Sequence, residues 1–298
     1  MAEIISIICI CILVMIVIVI ICSILECKKL TIKAYDVCSK RLPASFDGYK
    51  IMVLADLHNM IDDGRDETII SYIKENKPDI IVLAGDMIVC TREAEEDNMR
   101  TAAFLNRLSE LAHCYYGYGN HEKGLEEAVH GVSIDSFARY KDKLSDCSGI
   151  RLLDNETIEI KKGKDAIKLS GLNIDIDYYK RLIPTRLTKA YIDDKLGSKV
   201  PEDYVILIAH NPDYYKTYAR WGADLVFSGH NHGGLVRLPV LGGVISPKLH
   251  IFPRYDYGRY TDGYTTMLVS GGMGAHSIKI RVNNVPELLL VTLRKKSE

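Results

Sequence analysis

Residues 51–58 read Ile51-Met52-Val53-Leu54-Ala55-Asp56-Leu57-His58, and residues 80–86 read Ile80-Ile81-Val82-Leu83-Ala84-Gly85-Asp86. Each is a short, unbroken apolar run that stops at a polar residue. A strand that is apolar at every position is buried on both faces, the habit of a parallel sheet covered by other layers. Residues 67–76 and 93–111 follow these runs with helical spacing, so the local order is β-α-β-α. Further strands are expected at 114–116, 167–171, 204–209, 225–228 and 266–270, with 287–293 closing the sheet. Upstream, Leu30, Ile32 and Ala34 alternate within 29–37, which predicts a strand before the turn signals of Pro43 and Asp47-Gly48. Residues 239–263 are rich in Gly, Pro and Tyr and show no period; such long connections often form substrate walls or lids.

Residues 4–25 are apolar except for Ser6 and Ser23. As a helix rising about 1.5 Å per residue they would cover the roughly 30 Å hydrocarbon core of a bilayer. A cleaved signal peptide is disfavoured, because no Lys or Arg precedes the run, it is too long, and Cys27-Lys28-Lys29 offers no small-x-small site. A buried core helix would rarely be apolar on every face. Lys28, Lys29, Lys33, Lys40 and Arg41 follow the helix while Glu3 precedes it, so the bulk of the chain is expected on the cytoplasmic side of a cell membrane, crossed once. Cys38, Cys90, Cys114 and Cys147 show no paired spacing and read as reduced thiols. No repeat or low-complexity linker interrupts the rest. The expected organisation is an anchor at 1–28, a juxtamembrane segment and first strand at 29–49, and one catalytic domain at 50–298. With 38 basic against 39 acidic side chains in 298 residues, nothing in the charge balance points to nucleic acid.

Chemistry concentrates where the strands end. Asp56 and His58 alternate along extended chain and so point to one side, which makes half of a metal site. Alone, Asp-x-His reads more often as a capped turn with a partly exposed His. Gly85-Asp86 ends the next strand, Gly119-Asn120-His121-Glu122 follows a third, His210 ends a fourth, and Gly229-His230-Asn231-His232-Gly233-Gly234 ends a fifth. Asp86 taken singly could be an N-cap or Asx-turn residue, and Asn120 a left-handed turn residue. Together, five of the nine histidines (His58, His121, His210, His230 and His232) fall at strand ends, whereas scattered histidines have no reason to. The carboxyl ends of neighbouring strands form the crevice where α/β sheets bind ligands. His113, His130, His250 and His276 read as satisfied or solvated.

This donor set suits two divalent cations about 3.5 to 4 Å apart, which need a bridging carboxylate, nitrogen ligands and open positions for water and phosphate oxygens. Asp86 is the natural bridge. Neutral imidazoles with only two Asp leave a net positive centre that attracts phosphate and acidifies a bridging water, so hydroxide becomes the nucleophile. There is no Gly-x-Ser-x-Gly elbow, phosphate loop or paired-cysteine module to support another chemistry.

Taken in order, Asp56-Leu57-His58, Gly85-Asp86, Gly119-Asn120-His121-Glu122, Ala209-His210 and Gly229-His230-Asn231-His232 resemble the calcineurin-like metallophosphoesterase superfamily block for block. The tail from Gly233-Gly234 through Phe252-Pro253-Arg254-Tyr255 to Leu268-Val269-Ser270 is similar to its membrane-anchored bacterial branch of phosphodiesterases and UDP-2,3-diacylglucosamine pyrophosphatases. The resemblance implies a four-layer α-β-β-α sandwich with the site at one edge of two sheets. It implies one metal on Asp56, His58, Asp86 and His232, and a second on Asp86, Asn120, His210 and His230, the metals being Mn, Fe or Zn. His121 would be the general acid, oriented by a neighbouring carboxylate or carbonyl. Asn59 and Arg254 are substrate-binding candidates. Family members often carry an Asp or Asn soon after Gly-Asp, which Met87-Ile88-Val89-Cys90 lacks. The expected substrate is a phosphate ester or phosphoanhydride, either small or lipid-linked at the membrane surface; the other readings are a nucleotide or cyclic-nucleotide phosphodiesterase and an inactive membrane scaffold.

Overall fold

The structure, a computed structural model, describes residues 1–61, 64–146, 149–180, 185–234, 236–238, 242–245, 251–274 and 280–297, with the side chains of Ala2 and His130 left out. Cys147, His250, His276 and Pro239 therefore lie outside the described residues. The chain begins with α1 (Ala2–Lys28) and β1 (Thr31–Ser39), then β2 (Lys50–Leu54), α2 (Arg65–Asn76), β3 (Ile80–Ala84), α3 (Glu95–Ser109), β4 (Cys114–Gly117), α4 (Asn120–Glu126), α5 (Ser136–Leu144) and β5 (Ile150–Leu153). It continues with β6 (Glu156–Lys162), β7 (Asp165–Gly171), α6 (Lys189–Leu196), β8 (Val205–Ile208), α7 (Tyr215–Trp221) and β9 (Leu225–Ser228). Last come β10 (Val236–Leu238), β11 (Gly242–Ile245), β12 (Gly258–Asp262), β13 (Thr265–Val269) and β14 (Glu287–Lys295).

One six-stranded sheet has the order β1-β14-β2-β3-β4-β5, the other β12-β13-β9-β8-β7-β6. Strand alternation decides which side chain meets which layer. Ile51, Val53, Ile80 and Val82 face Ile206, Ile208, Leu225 and Phe227 across the space between the sheets. Their neighbours Met52, Leu54, Ile81 and Leu83 turn outward to Ile69, Ile73, Leu105, Leu108 and Tyr140 of the helices. On the far side Val205, Leu207 and Val226 pack on Ile192, Tyr215, Tyr218 and Trp221. The layers are α-β-β-α, as expected. Because β2 pairs with β3 in parallel (Leu54 beside Leu83) and β8 with β9 (Ile208 beside Phe227), the carboxyl ends of these central strands lie level at one edge.

Several expected boundaries move. The helix expected over 93–111 is a short turn, Arg92–Ala94, followed by α3. The stretch at 239–263 carries β11 and β12, and β12 joins a sheet by pairing antiparallel with β13. Strands β5 and β6 were not expected. β6 has only Ile158 and Ile160 buried, since as an outer strand it needs a single apolar face.

Helix α1 is long and apolar enough to cross a membrane. Its last turns are nevertheless joined to the domain. Ser23 is buried and its Oγ accepts the Arg281 N–H at 2.8 Å, the Glu26 carboxylate accepts the Asn284 N–H at 3.0 Å, and the Arg65 guanidinium donates to the Cys27 carbonyl.

At the site edge the sheets come so close that a methyl group on Gly117 of β4 would press into Ile208 of β8. Gly117→Ala is therefore expected to lower stability by about 1–3 kcal/mol through overpacking. Urea unfolding of the purified protein measures it; an unchanged midpoint would mean that the sheets have room to separate.

Candidate metal centre

The site is assembled from abrupt turns at the strand ends. Asp56, His58, Asp86, His230 and His232 all have positive φ, between 48° and 71°. Left-handed backbone reverses the chain within one residue, so short side chains from different strands can converge on one point. The turns are tied to each other: the Asp56 N–H donates to the Gly85 carbonyl at 3.0 Å, and the His58 N–H to the Asp86 carbonyl at 3.1 Å. Gly85 itself has φ +87°, and a Cβ there would lie 2.7 Å from both the Gly119 nitrogen and His210 Nδ1. Only a glycine fits.

Two half-sites result. Donor atoms of Asp56, His58 and His232 lie within 4.8 Å of one another, as do those of Asp86, His210 and His230. A third group, His58, Asp86 and His121, overlaps both, so Asp86 stands between the halves. His58 Nε2 and His232 Nε2 are 3.0 Å apart with their rings stacked, and His232 Nε2 is 3.4 Å from Asp56 Oδ1. In the other half His210 Nε2 lies 3.1 Å from Asp86 Oδ2.

These residues fit divalent cations. His210 Nδ1 donates to the Ala84 carbonyl at 2.7 Å, which leaves its Nε2 lone pair aimed at a carboxylate oxygen. Two acceptors facing each other need a cation or a proton between them. Without a metal, a proton serves: burial disfavours the imidazolium, but Asp86 and then Asp56 outweigh it and push His210 up to about 9. Burial and the neighbouring Asp86 push Asp56 up to about 7, against the pull of His210. For Asp86 burial acts upward too, yet His210, His121 and His58 hold it well below the usual carboxylate range. Asn120 Oδ1, the remaining donor, is buried without a hydrogen-bond partner among the described residues.

At His121, Nδ1 accepts the Cys90 backbone N–H at 2.8 Å. Its Nε2 lies 4.0 Å from Asp86 Oδ2. The segment 87–90, which lacks the family's usual Asp or Asn, is gripped instead by Asn98 of α3, whose amide bonds both the N–H and the carbonyl of Val89 at 3.1 Å.

Asn59 turns toward α3, with its amide nitrogen on Asn98 and its oxygen on Thr101, both at 2.7 Å. Arg254 is exposed and lies over the Tyr255 ring. Three residues at the site had no role in the sequence reading. Glu122, fully buried, accepts the N–H groups of Asp86, Met87 and Gly119 and the Tyr116 hydroxyl, at 2.6–2.9 Å. Its place in the Asn-His-Glu block was the available signal. Asn284 donates to the carbonyls of His232 at 2.6 Å and Gly234 at 2.7 Å. Tyr179 packs edge-on to His230 with ring centres 5.2 Å apart. Nothing local marks either of these two.

Comparison with known proteins places the chain among metallophosphoesterases. The chain is 28% identical to the uncharacterized metallophosphoesterase YkuE of Bacillus subtilis, over 91% of this chain and 87% of that one. It is 27% identical to the phosphodiesterase YaeI of Escherichia coli, over 82% of each. It is 24% identical to a zebrafish (Danio rerio) transmembrane protein with a metallophosphoesterase domain, over 86% of this chain and 55% of that protein's length. The calcineurin-like phosphoesterase family model matches residues 49–234, more than half of the sequence. With its sheet-edge cluster of Asp and His side chains, this chain belongs to the calcineurin-like phosphoesterase family.

Proposed function

We propose that the protein hydrolyses a phosphate ester or phosphoanhydride at a binuclear centre. One cation would sit on Asp56, His58, Asp86 and His232, and the other on Asp86, Asn120, His210 and His230. The observation that carries this is the Asp86 carboxylate, which belongs both to the group with His58 and to the group with His210 and His230. When bound, such a pair of cations polarises the phosphoryl group and supplies a nucleophilic water at neutral pH. The protein's own part is to hold the donors. Glu122 fixes the turn that presents Asp86, Ala84 fixes the His210 tautomer, and Asn284 fixes the loop that carries His232.

His121 is a hydrogen-bond donor in this reading. With Nδ1 taken up by the Cys90 N–H, the ring offers a proton from Nε2 to an oxygen of the phosphoryl group. The catalytic unit is 50–298, with β1 from 29–49 completing the first sheet; α1 tethers it to the membrane, with the domain on the cytoplasmic side. The name of the E. coli relative favours a phosphodiester, and the membrane tether a substrate held at or near the lipid surface.

Asp86→Ala is expected to remove both metals, because one side chain serves both halves. Elemental analysis of protein purified without chelator and supplied with Mn reads two ions per chain for the parent and none for the variant. One ion per parent chain would overturn the binuclear reading.

His121→Ala is expected to keep both metals and lose roughly 10²- to 10³-fold in kcat, as when an oxyanion donor is removed. The loss should be similar for activated aryl esters and for esters with poor leaving groups. A loss confined to poor leaving groups would restore the general-acid role.

Cytoplasmic placement predicts that a C-terminal green fluorescent protein fusion is fluorescent while an alkaline phosphatase fusion is inactive. The opposite pair of results would reverse the topology.

A further inference from the structure

Beyond residue 28, the exposed large apolar side chains among the described residues are Ile134, Val200, Leu238, Ile251, Phe252, Tyr264 and Ile280. Four of these belong to one lobe. β10 and β11 form a hairpin outside the two main sheets, with Leu238 on it. Ile251 bridges to Ile245, and the Phe252 N–H donates to the Val244 carbonyl at 2.9 Å. Val236 bridges to Val282, and the Arg237 N–H donates to the Val282 carbonyl at 3.0 Å, which brings Ile280 to the same lobe. Ile251 is 71% exposed, Phe252 54%, Leu238 43% and Ile280 39%.

The segment that pairs with the lobe is also joined to α1. Arg281 bonds Ser23, and Asn284 bonds Glu26, so the segment after Ile280 runs beside the last turns of the apolar helix. Ser23 lies five residues before the helix end at Lys28, about 7.5 Å along the axis. Interfacial elements reach about 5–10 Å into a bilayer, the same depth. Lys28 and Lys29 then mark the level at which the chain leaves the lipid.

We propose that this lobe is a second membrane contact, with Leu238, Ile251, Phe252 and Ile280 seated in the lipid interface beside α1. The occupant is a bilayer surface, because the segment that follows Ile280 is hydrogen-bonded to the last turns of the helix that enters it. The proposal rests on the reading that α1 spans the membrane. It also deepens the functional reading. Arg237 donates to the Gly233 carbonyl at 2.6 Å, and Asn284 to the carbonyls of His232 and Gly234, so the loop carrying His232 is hydrogen-bonded to the membrane-facing lobe. The candidate metal centre is thereby held within one loop of the headgroup layer.

The test uses the full chain reconstituted in phosphatidylcholine–phosphatidylglycerol vesicles with and without brominated acyl chains, which quench tryptophan on contact. The variants are Phe252→Trp and Ile280→Trp in the lobe, Val14→Trp in α1 and Ile134→Trp on the domain surface. Emission from the native Trp221 is subtracted using the unsubstituted protein. Blue-shifted emission from the lobe variants, quenched by brominated lipid like that of Val14→Trp while Ile134→Trp is not, supports the proposal. Lobe tryptophans that behave like Ile134→Trp while Val14→Trp is quenched overturn it and leave the span intact. No quenching of Val14→Trp overturns the span and the lobe together. Hydrolysis does not enter the readout, so failure of the phosphoesterase reading would be seen separately, as an intact membrane contact on an inactive protein.

Discussion

The architecture depends on one backbone constraint: five side chains that converge on the metal centre leave their strands through left-handed residues. Asp56, His58, Asp86, His230 and His232 adopt a conformation that costs an ordinary residue roughly 1–2 kcal/mol. Five together approach the whole net stability of a domain, about 5–15 kcal/mol. Asp and His tolerate this region better than β-branched residues, so the residue types that bind metal are also types that can make the turn. The strain stays because the surrounding structure leaves no alternative. Asp56 is bonded to Gly85 and His58 to Asp86, while the Asp56 carboxylate accepts the His230 N–H at 2.9 and 3.1 Å. Each turn is held by the next.

Glu122 is the centre of that restraint on the first sheet. Its carboxylate takes four donors in a fully buried setting, three of them backbone N–H groups on the turns that end β3 and β4. A buried charge is stable only when saturated in this way. The Tyr116 hydroxyl completes the set and connects it to Tyr140 of α5 at 3.2 Å. Helix packing on the outer face is thus transmitted to the geometry of Asp86. On the second sheet Asp224 has a comparable position far from the metal centre, paired with Arg41 at 2.5 Å and with the Val205 N–H at 2.9 Å. That pair fastens the chain leaving β1 in the first sheet to the second.

Helix α1 is part of the same network. Arg281, almost wholly buried, bonds the carbonyls of Gly272, Gly274 and Asn284, and Arg65 bonds that of Met273. The loop they hold touches Asp56, since a Cβ on Gly272 would lie 2.8 Å from the Asp56 Cβ. Burial draws Arg281 down to about 10, still far above neutral, so it remains a cation beside the acidic centre. Both arginines also reach α1, one through its side chain to Cys27 and the other through its N–H to Ser23. The end of the apolar helix and the loop beside the candidate metal site share their partners.

Much of this was legible in sequence because it is local. A run such as Ile80–Ala84 is apolar at every position, so its burial on both faces follows from composition, and a polar residue after it falls at a strand end by adjacency alone. The order of the Asp and His blocks, the apolar span of α1 and the family resemblance are of this kind. Tertiary structure decided what depends on neighbours remote in the chain. The Asp86 and Glu122 partnership, the Cys90 N–H on His121, and the tie from Glu26 through Asn284 to His232 each join segments whose own periodicity carries no trace of the other. β6 escaped notice since an outer strand shows only a weak alternation, and the β10–β11 lobe because three- and four-residue strands are too short to show a period. The candidate ligands of this site are therefore written in the sequence, while the turns that bring them together and the groups that brace those turns follow from which long-range hydrogen bonds the packed sheets allow.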